Sequence, residues 1–485
     1  MTPAADATLT VPSASLASLL LAHPLPEDEP LLHGPDRVLT AAAARAAAHE
    51  VAARLVAAGV EPGQPVAVQR PNDTSFVVAM FGVWIARAVF VPLSPRSPAA
   101  ERAAALDATR PVAVIGSGDD IALRATPAVH APDVAFVLWT SGTTGRPKPI
   151  VHTHDGYLEL LDRVIGPLRG ASGASGSGRA PTPNLIPVSL ALNAGIYNVL
   201  FGLRAGSAIV VMDRFTPDEF ATLVARHQIR STVLPPAAIT MLNDDGDIVD
   251  LAPLRYVRSI TAPLSPLQAR RFAERFGVAV LNGYGQAEIG EVIGWTAADA
   301  RDHPDKLGAV GRAHPGVDLR IESPDAAGIG RLRVRPPAMA AGYASGEQLH
   351  DRIDADGYVD TGDLARIDSD GFVWIEGRAN DLINRGGHKV FPEQVEEVLR
   401  LVPGVADAAV VGVADHRLGE VPVAYVVADA SVTDAAIAAV CREHLAPYKI
   451  PVAFHRRGDV PRNEAGKLLR AALASAHSDP EGTLT

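Results

Sequence analysis

The chain has 485 residues, a formal net charge of −11, and 47% apolar against 20% charged side chains. This globular composition excludes a charge-driven disordered protein, and without a clustered basic face it argues against nucleic acid as a partner. One cysteine, Cys441, excludes an internal disulfide. With no basic segment leading into a long apolar stretch after Met1, a cytoplasmic protein is expected, and "SLASLLLA" is too short to span a membrane.

From Thr40 to Gly59, "TAAAARAAAHEVAARLVAAG" predicts a helix with Val51, Leu55 and Val56 on one stripe and Gly59 as its stop. "PVAVQRPN" and then "SFVVAMFGVWIARAVFVPLSP" alternate short and long apolar runs in β-α-β order. That order favours a parallel sheet covered by helices. Residues 134–139, "VAFVLW", predict a buried strand, and the Gly/Ser/Pro stretch from Gly170 to Pro183 a surface loop. Thr216-Pro217-Asp218-Glu219 and Ser265-Pro266-Leu267-Gln268 each combine a capping residue with a proline in the first turn, so both should start helices. Past Arg378, "PEQVEEVLR" and "DAAIAAVCREHL" have helical spacing, while "VADAAVVGV" and "VPVAYVVAD" read as strands. The expectation is an α/β protein with a large N-terminal domain, 1–379, of parallel and mixed sheets covered by helices. A small α+β domain, 380–485, follows it.

The stretch "LWTSGTTGRPKP", residues 138–149, carries the chemistry. Thr140, Ser141, Gly142, Thr143, Thr144 and Gly145 turn with little bulk after the predicted strand. They expose N–H groups and hydroxyls in a concavity suited to an anion. Lys148 adds a mobile point charge that suits phosphate. The Walker spacing is absent, and alone such a loop is usually a plain turn.

Further stretches follow in order: "GVEPGQPVAVQRPN", "FVPLSPRSP", "SITAPLS", "NGYGQAE", "GYVDTGDLARIDSDGFVWIEGR", "NDLINRGGHKVFPEQVEEVL" and "PRNEAGKLLR". Together with the loop they resemble the adenylate-forming superfamily of acyl-CoA synthetases, adenylation domains and luciferases, from about Arg37 to Leu469. The resemblance implies ATP- and Mg²⁺-dependent activation of a carboxylic acid to an acyl-adenylate, with negative charge neutralised on both nucleophile and triphosphate. It assigns residues 140–145 and Lys148 to the β- and γ-phosphates. Glu288 is matched to the Mg²⁺ ligand, Ala262, Tyr284 and Gly285 to the adenine side, Asp363 to the ribose hydroxyls, and Arg378 to the nucleotide at the end of the large domain. Lys467 matches the lysine that bridges carboxylate and α-phosphate. Only five lysines stand among 44 basic residues, and Lys148, Lys449 and Lys467 fall in these motifs.

The same resemblance implies that the small domain swings, so that "NRGGHKVFP" replaces Lys467 and lines a thiol tunnel. Asn380 is then the hinge, with Gly386 and Gly387 allowing close backbone approach or simply closing a hairpin. The thiol is expected from coenzyme A or from carrier-protein phosphopantetheine, with Cys441 a buried structural residue. No attachment segment follows Leu469, so a carrier is expected to be a separate chain. The acid contacts are placed at Asn193, Gly283 and Ile289. Asn193 stands where amino-acid-activating relatives hold an aspartate, which disfavours α-amino acids and favours an aryl or compact acyl group. Ala287 replaces a common threonine, Asn380 replaces the usual charged hinge residue, and "IPVSLALNAGIY" lacks the usual histidine or aromatic. These departures leave room for a silent nucleotide-binding regulator, against which Lys148, Glu288, Asp363 and Lys467 argue. Expected partners are a small carboxylic acid and a carrier protein as the alternative acceptor, with no nucleic acid, no membrane, and a monomer or homodimer.

Overall fold

The structure, a computed structural model, describes residues 15–118, 120–140, 148–171, 182–260, 264–344, 349–462, 468–470 and 472–474. Its β-α-β unit is formed by the strand Pro65–Val68, the helix Thr74–Ile85 and the strand Val89–Pro92, which pairs in parallel with the first. Asp73 caps the helix by accepting from the N–H of Ser75 at 2.7 Å and of Phe76 at 3.3 Å. These elements sit inside a seven-stranded sheet whose parallel centre is flanked by antiparallel strands, among them Lys148–Thr153 beside Val134–Thr140.

The helix Ala41–Ala57 starts at Thr40, whose hydroxyl accepts from Ala43 N–H at 3.2 Å. Its buried face is Ala41, Ala44, Ala48, Ala52 and Leu55, whereas Val51 is half-buried and Val56 is 44% exposed. The expected Val51–Leu55–Val56 stripe is therefore corrected. Alanines face the core because the neighbouring helix approaches closely, and a Cβ at Gly82 would strike Val51 and Ala48. The helices Pro217–Arg226 and Pro266–Phe276 start where expected, Thr216 accepting from Glu219 N–H at 3.3 Å. The helix His154–Ala171 runs into the stretch read as a loop from Gly170, and residues 172–181 of that stretch lie outside the described residues.

A second sheet of three parallel strands, Ser231–Leu234, Tyr256–Ser259 and Ala279–Asn282, leads directly into the site. Only Gly283 separates its last strand from the hairpin Tyr284–Gln286 and Gly290–Gly294. Beyond the hairpin lies an antiparallel sheet whose last two strands are Val359–Ile367 and Val373–Arg378. In open α/β sheets the carboxyl ends of parallel strands are where ligands bind.

From Ile383 onward the chain builds a core of its own: a five-stranded sheet covered by the helices Pro392–Leu399 and Asp434–His444. Cys441 is buried in that core, and burial pushes its thiol up to about 11, so it stays protonated and unreactive. Among the described residues no helix is long and apolar enough to cross a membrane.

Buried Asn72 ties separate elements together. Its Nδ2 donates to the carbonyls of Val188 at 3.1 Å and Met212 at 2.8 Å, and its Oδ1 accepts from Leu190 N–H at 2.6 Å. Asn72→Ala strands three backbone groups, and urea unfolding should show a loss of about 2–4 kcal/mol.

Candidate active site

Asp363 sits in the strand Val359–Ile367 opposite Arg378 of the neighbouring strand and is only 4% exposed. Arg378 Nε lies 2.7 Å from its Oδ1. The Tyr284 hydroxyl donates to Oδ2, and Gln286 Nε2 donates to the same oxygen at 3.2 Å and to the Thr361 carbonyl at 2.7 Å. Burial, and then the charge of Asp363, raises the Tyr284 hydroxyl well above the ordinary phenol range, so it remains a donor.

Gln286 links this carboxylate to a second one. Its Oε1 accepts from Arg352 Nη2 at 2.8 Å, while Arg352 Nη1 donates to Glu288 Oε1 at 3.0 Å. The Tyr343 hydroxyl donates to the same Glu288 oxygen at 2.9 Å, and Lys148 Nζ lies 5.5 Å from the centre of the Tyr343 ring. Burial raises the Tyr343 pKa, and Glu288 raises it further. Burial would lower that of Arg352, but Glu288 and Tyr343 outweigh it and the net shift is upward. The result is one continuous polar line from Arg378 and Asp363 through Gln286, Arg352, Glu288 and Tyr343 to Lys148.

Local structure explains each placement. Thr140 and Lys148 face each other in the register of two antiparallel strands, and Tyr343 pairs with Ile150, two residues past Lys148. The lysine is thus held at the mouth of the loop it was read with. Gly285 faces Glu291 across the hairpin, where a Cβ would collide with the Gly290 carbonyl oxygen. Both bonds to Glu288 reach Oε1, which leaves Oε2 available among the described residues. One open carboxylate oxygen suits Mg²⁺ held mainly through substrate phosphates.

The other predicted residues are distributed as follows. Ser141, Gly142, Thr143, Thr144, Gly145, Ala262 and Lys467 lie outside the described residues. Asn193 opens the helix Asn193–Arg204, and its Oδ1 accepts from the Tyr157 hydroxyl at 3.1 Å. Gly283 borders Glu291, whose Oε1 lies 3.4 Å from where a Cβ would stand. Ile289 is a correction: it is wholly buried against Val292, Val334 and Val359, because the hairpin turns its side chain into the core, so it offers no wall to a substrate. Asn380 is exposed in the turn after Arg378. Gly386 and Gly387 form the exposed tip of a hairpin with φ of +58° and +88°, left-handed values that favour glycine. That tip borders a cleft of ≈ 390 Å³ whose walls include Asp325, His388, Lys389, Tyr448 and Lys449.

Sequence reasoning missed Gln286, Tyr343 and Arg352. Gln286 lay inside a quoted motif and carried a signal by position. Arg352 had none, since it reaches Glu288 across 64 residues.

The AMP-binding enzyme model matches residues 22–132 and 116–344, and the AMP-binding enzyme C-terminal domain model matches 394–467. The chain belongs to this family of adenylate-forming enzymes. It is 31% identical to the 3-[(3aS,4S,7aS)-7a-methyl-1,5-dioxo-octahydro-1H-inden-4-yl]propanoyl:CoA ligase of Mycobacterium tuberculosis, over 92% of this chain and 95% of that protein. It is 30% identical to the sulfoacetate–CoA ligase of Cupriavidus necator, over 92% and 94% respectively. The crystal structure of ATP-bound MatB from Rhodopseudomonas palustris superposes with a TM-score of 0.83 at 25% identity, covering 97% of this chain and all of that one.

Arg352 orients Glu288 and Gln286 and also donates to the Asp360 carbonyl at 2.7 Å. In a pyrophosphate-release assay, Arg352→Ala should lower kcat/KM for ATP by about 10–100-fold. Retention of wild-type ATP kinetics would show that this link does not shape the nucleotide site.

Proposed function

We propose that the protein is an AMP-forming acid–thiol ligase that activates a small carboxylic acid with ATP and passes the acyl group to the pantetheine thiol of coenzyme A. The carrying observation is the polar line from Asp363 to Lys148, which has a carboxylate for a sugar diol at one end and a cation for phosphates at the other. Asp363, already held by Arg378, Tyr284 and Gln286, accepts from the ribose hydroxyls. Lys148 neutralises the β- and γ-phosphates. Mg²⁺, when bound at Glu288, adds charge neutralisation on the triphosphate.

In the first step the acid's carboxylate attacks the α-phosphorus, forming a carbon–oxygen–phosphorus anhydride as the bond to pyrophosphate breaks. Lys467 supports this by holding the carboxylate and α-phosphate together. In the second step the thiolate attacks the acyl carbon and AMP leaves. The small domain, beginning at Asn380, turns between the steps and brings Gly387 to the thiol. Its tip already borders a cleft with two lysines, Lys389 and Lys449, which suits a phosphate-bearing acceptor.

The acid is not an α-amino acid. Asn193 is neutral and its oxygen is engaged by Tyr157, so an ammonium group there has no charge partner. The ligase relatives of Mycobacterium tuberculosis and Cupriavidus necator support coenzyme A as acceptor.

Lys467→Ala should abolish acid-dependent pyrophosphate exchange, with a loss of about 10²–10³ in rate, while thioester formation from supplied acyl-adenylate largely survives. Wild-type exchange in this variant would remove Lys467 from the mechanism. Gly387→Val, once shown by circular dichroism to be folded, should keep the exchange and lose most thioester product. Equal loss of both activities in the folded variant would sink the domain-swing reading.

A further inference from the structure

A second polar line crosses from the large domain to the small one and ends on the cleft beside Gly387. Glu376, in the strand Val373–Arg378, is held at one oxygen by Arg366 Nε at 2.9 Å. Its other oxygen accepts from Nε2 of Gln394, in the helix Pro392–Leu399, at 3.1 Å. Gln394 Oε1 in turn accepts from Lys449 Nζ at 2.7 Å. An amide placed between a carboxylate and an ammonium has one orientation that works, nitrogen toward the first and oxygen toward the second. The domain boundary runs between Glu376 and Gln394, so the large domain sets that orientation.

The far end of the line is held in place by the small domain. Arg385 Nη1 donates to the carbonyls of Tyr448 at 2.9 Å and Ile450 at 3.1 Å, on either side of Lys449. His388, next to the glycine tip, stacks on Tyr448 with ring centres 4.5 Å apart and planes 19° from parallel. Lys449 is half-buried, and among the described residues its one hydrogen-bond acceptor is the neutral amide. The carboxylates around it are committed elsewhere. Glu376 is paired with Arg366, Glu393 and Glu396 lie 3.1 and 2.8 Å from Arg470, and Glu397 has Arg400 within electrostatic reach. Lys389, on the same cleft, is different, because Asp325 of the large domain faces it at 3.8 Å. An amide anchors a lysine without cancelling its charge, which a carboxylate would do.

We propose that Gln394 is a positioning residue for the acyl acceptor: it presents the Lys449 ammonium to a phosphate of that acceptor, and it does so while Glu376 of the large domain orients its amide. Gly387 and Lys449 line one cleft of ≈ 390 Å³, which suits a molecule with a thiol at one end and phosphate toward the other. Turning the small domain away from Glu376 frees the amide, loosens the lysine and so releases the acceptor. This inference rests on the acid–thiol ligase reading above.

The test is calorimetric titration of the full-length protein, with AMP present, by coenzyme A, 3′-dephospho-coenzyme A, 4′-phosphopantetheine and pantetheine. Coenzyme A should bind at least about 10-fold more tightly than pantetheine through the charge-assisted contact. A gain already complete in 4′-phosphopantetheine assigns the contact to the phosphate that a carrier protein shares. A gain that needs the nucleotide end assigns it to coenzyme A alone. Gln394→Glu, which keeps the side-chain size and cancels the ammonium, should cut the ratio of the two affinities by about 10-fold, and Lys449→Gln should do the same. Glu376→Gln should cut it by about threefold, because the amide loses the carboxylate that orients it. The ratio is the readout because general damage weakens both ligands. Equal affinity for coenzyme A and pantetheine in the unaltered protein, or a ratio unchanged in both Gln394→Glu and Lys449→Gln, would overturn the phosphate contact and leave thiol transfer standing. An unchanged ratio in Glu376→Gln alone would overturn control by the large domain. Failure of every one of these thiols to bind would overturn the thiol-transfer reading itself.

Discussion

The site depends on how one carboxylate is held. Asp363 is nearly sealed from water, and an ionised carboxylate there is tolerable only because Arg378, Tyr284 and Gln286 surround it. Those partners belong to two different strands, Val373–Arg378 and Tyr284–Gln286, so satisfying this single charge fixes the sheet that carries Asp363 against the hairpin that carries Tyr284. Everything downstream inherits that alignment, because Gln286 also meets Arg352, and Arg352 meets Glu288. Backbone strands set the spacing and the buried charges set the register between sheets.

The hairpin Tyr284–Gln286 and Gly290–Gly294 divides two kinds of chemistry. Tyr284 and Gln286 reach toward Asp363, while Glu291, on the partner strand, reaches toward Gly283 and Arg258. The division needs thin backbone, which is why no side chain fits at Gly285. Both clusters converge where Asn282 ends its parallel strand.

The few lysines separate into structural and chemical roles only once their neighbours are known. Lys306 lies 3.1 Å from Asp368 and also pairs with Asp370, which fastens the antiparallel sheet. Lys449 donates to Gln394 at 2.7 Å on the wall of the cleft beside the Gly387 turn. Lys148 stands at the end of the nucleotide line. Scarcity of lysine therefore marks places where a compact point charge is wanted, and says nothing about which of them is catalytic.

What the sequence determined by itself were features written over short stretches of chain. The β-α-β order, the cap at Thr216, the separate core after Ile383 and the glycine pair at the Arg385–His388 turn all depend on neighbours within a few residues, and all were legible. Glu288 and Asp363 lie inside local motifs and could be proposed from them. Periodicity misled at Val56 and the resemblance at Ile289, because closeness of a neighbouring helix and the direction of a hairpin decide burial there, and neither is written in the local sequence. Tertiary structure alone decided the pairing of Arg352 with Glu288 across 64 residues and of Arg258 with Glu291 across 33. An isolated arginine in a sequence has many possible carboxylates. Which one it meets follows from strand ends brought together by packing, and a buried charge then locks the choice because leaving either partner alone is costly.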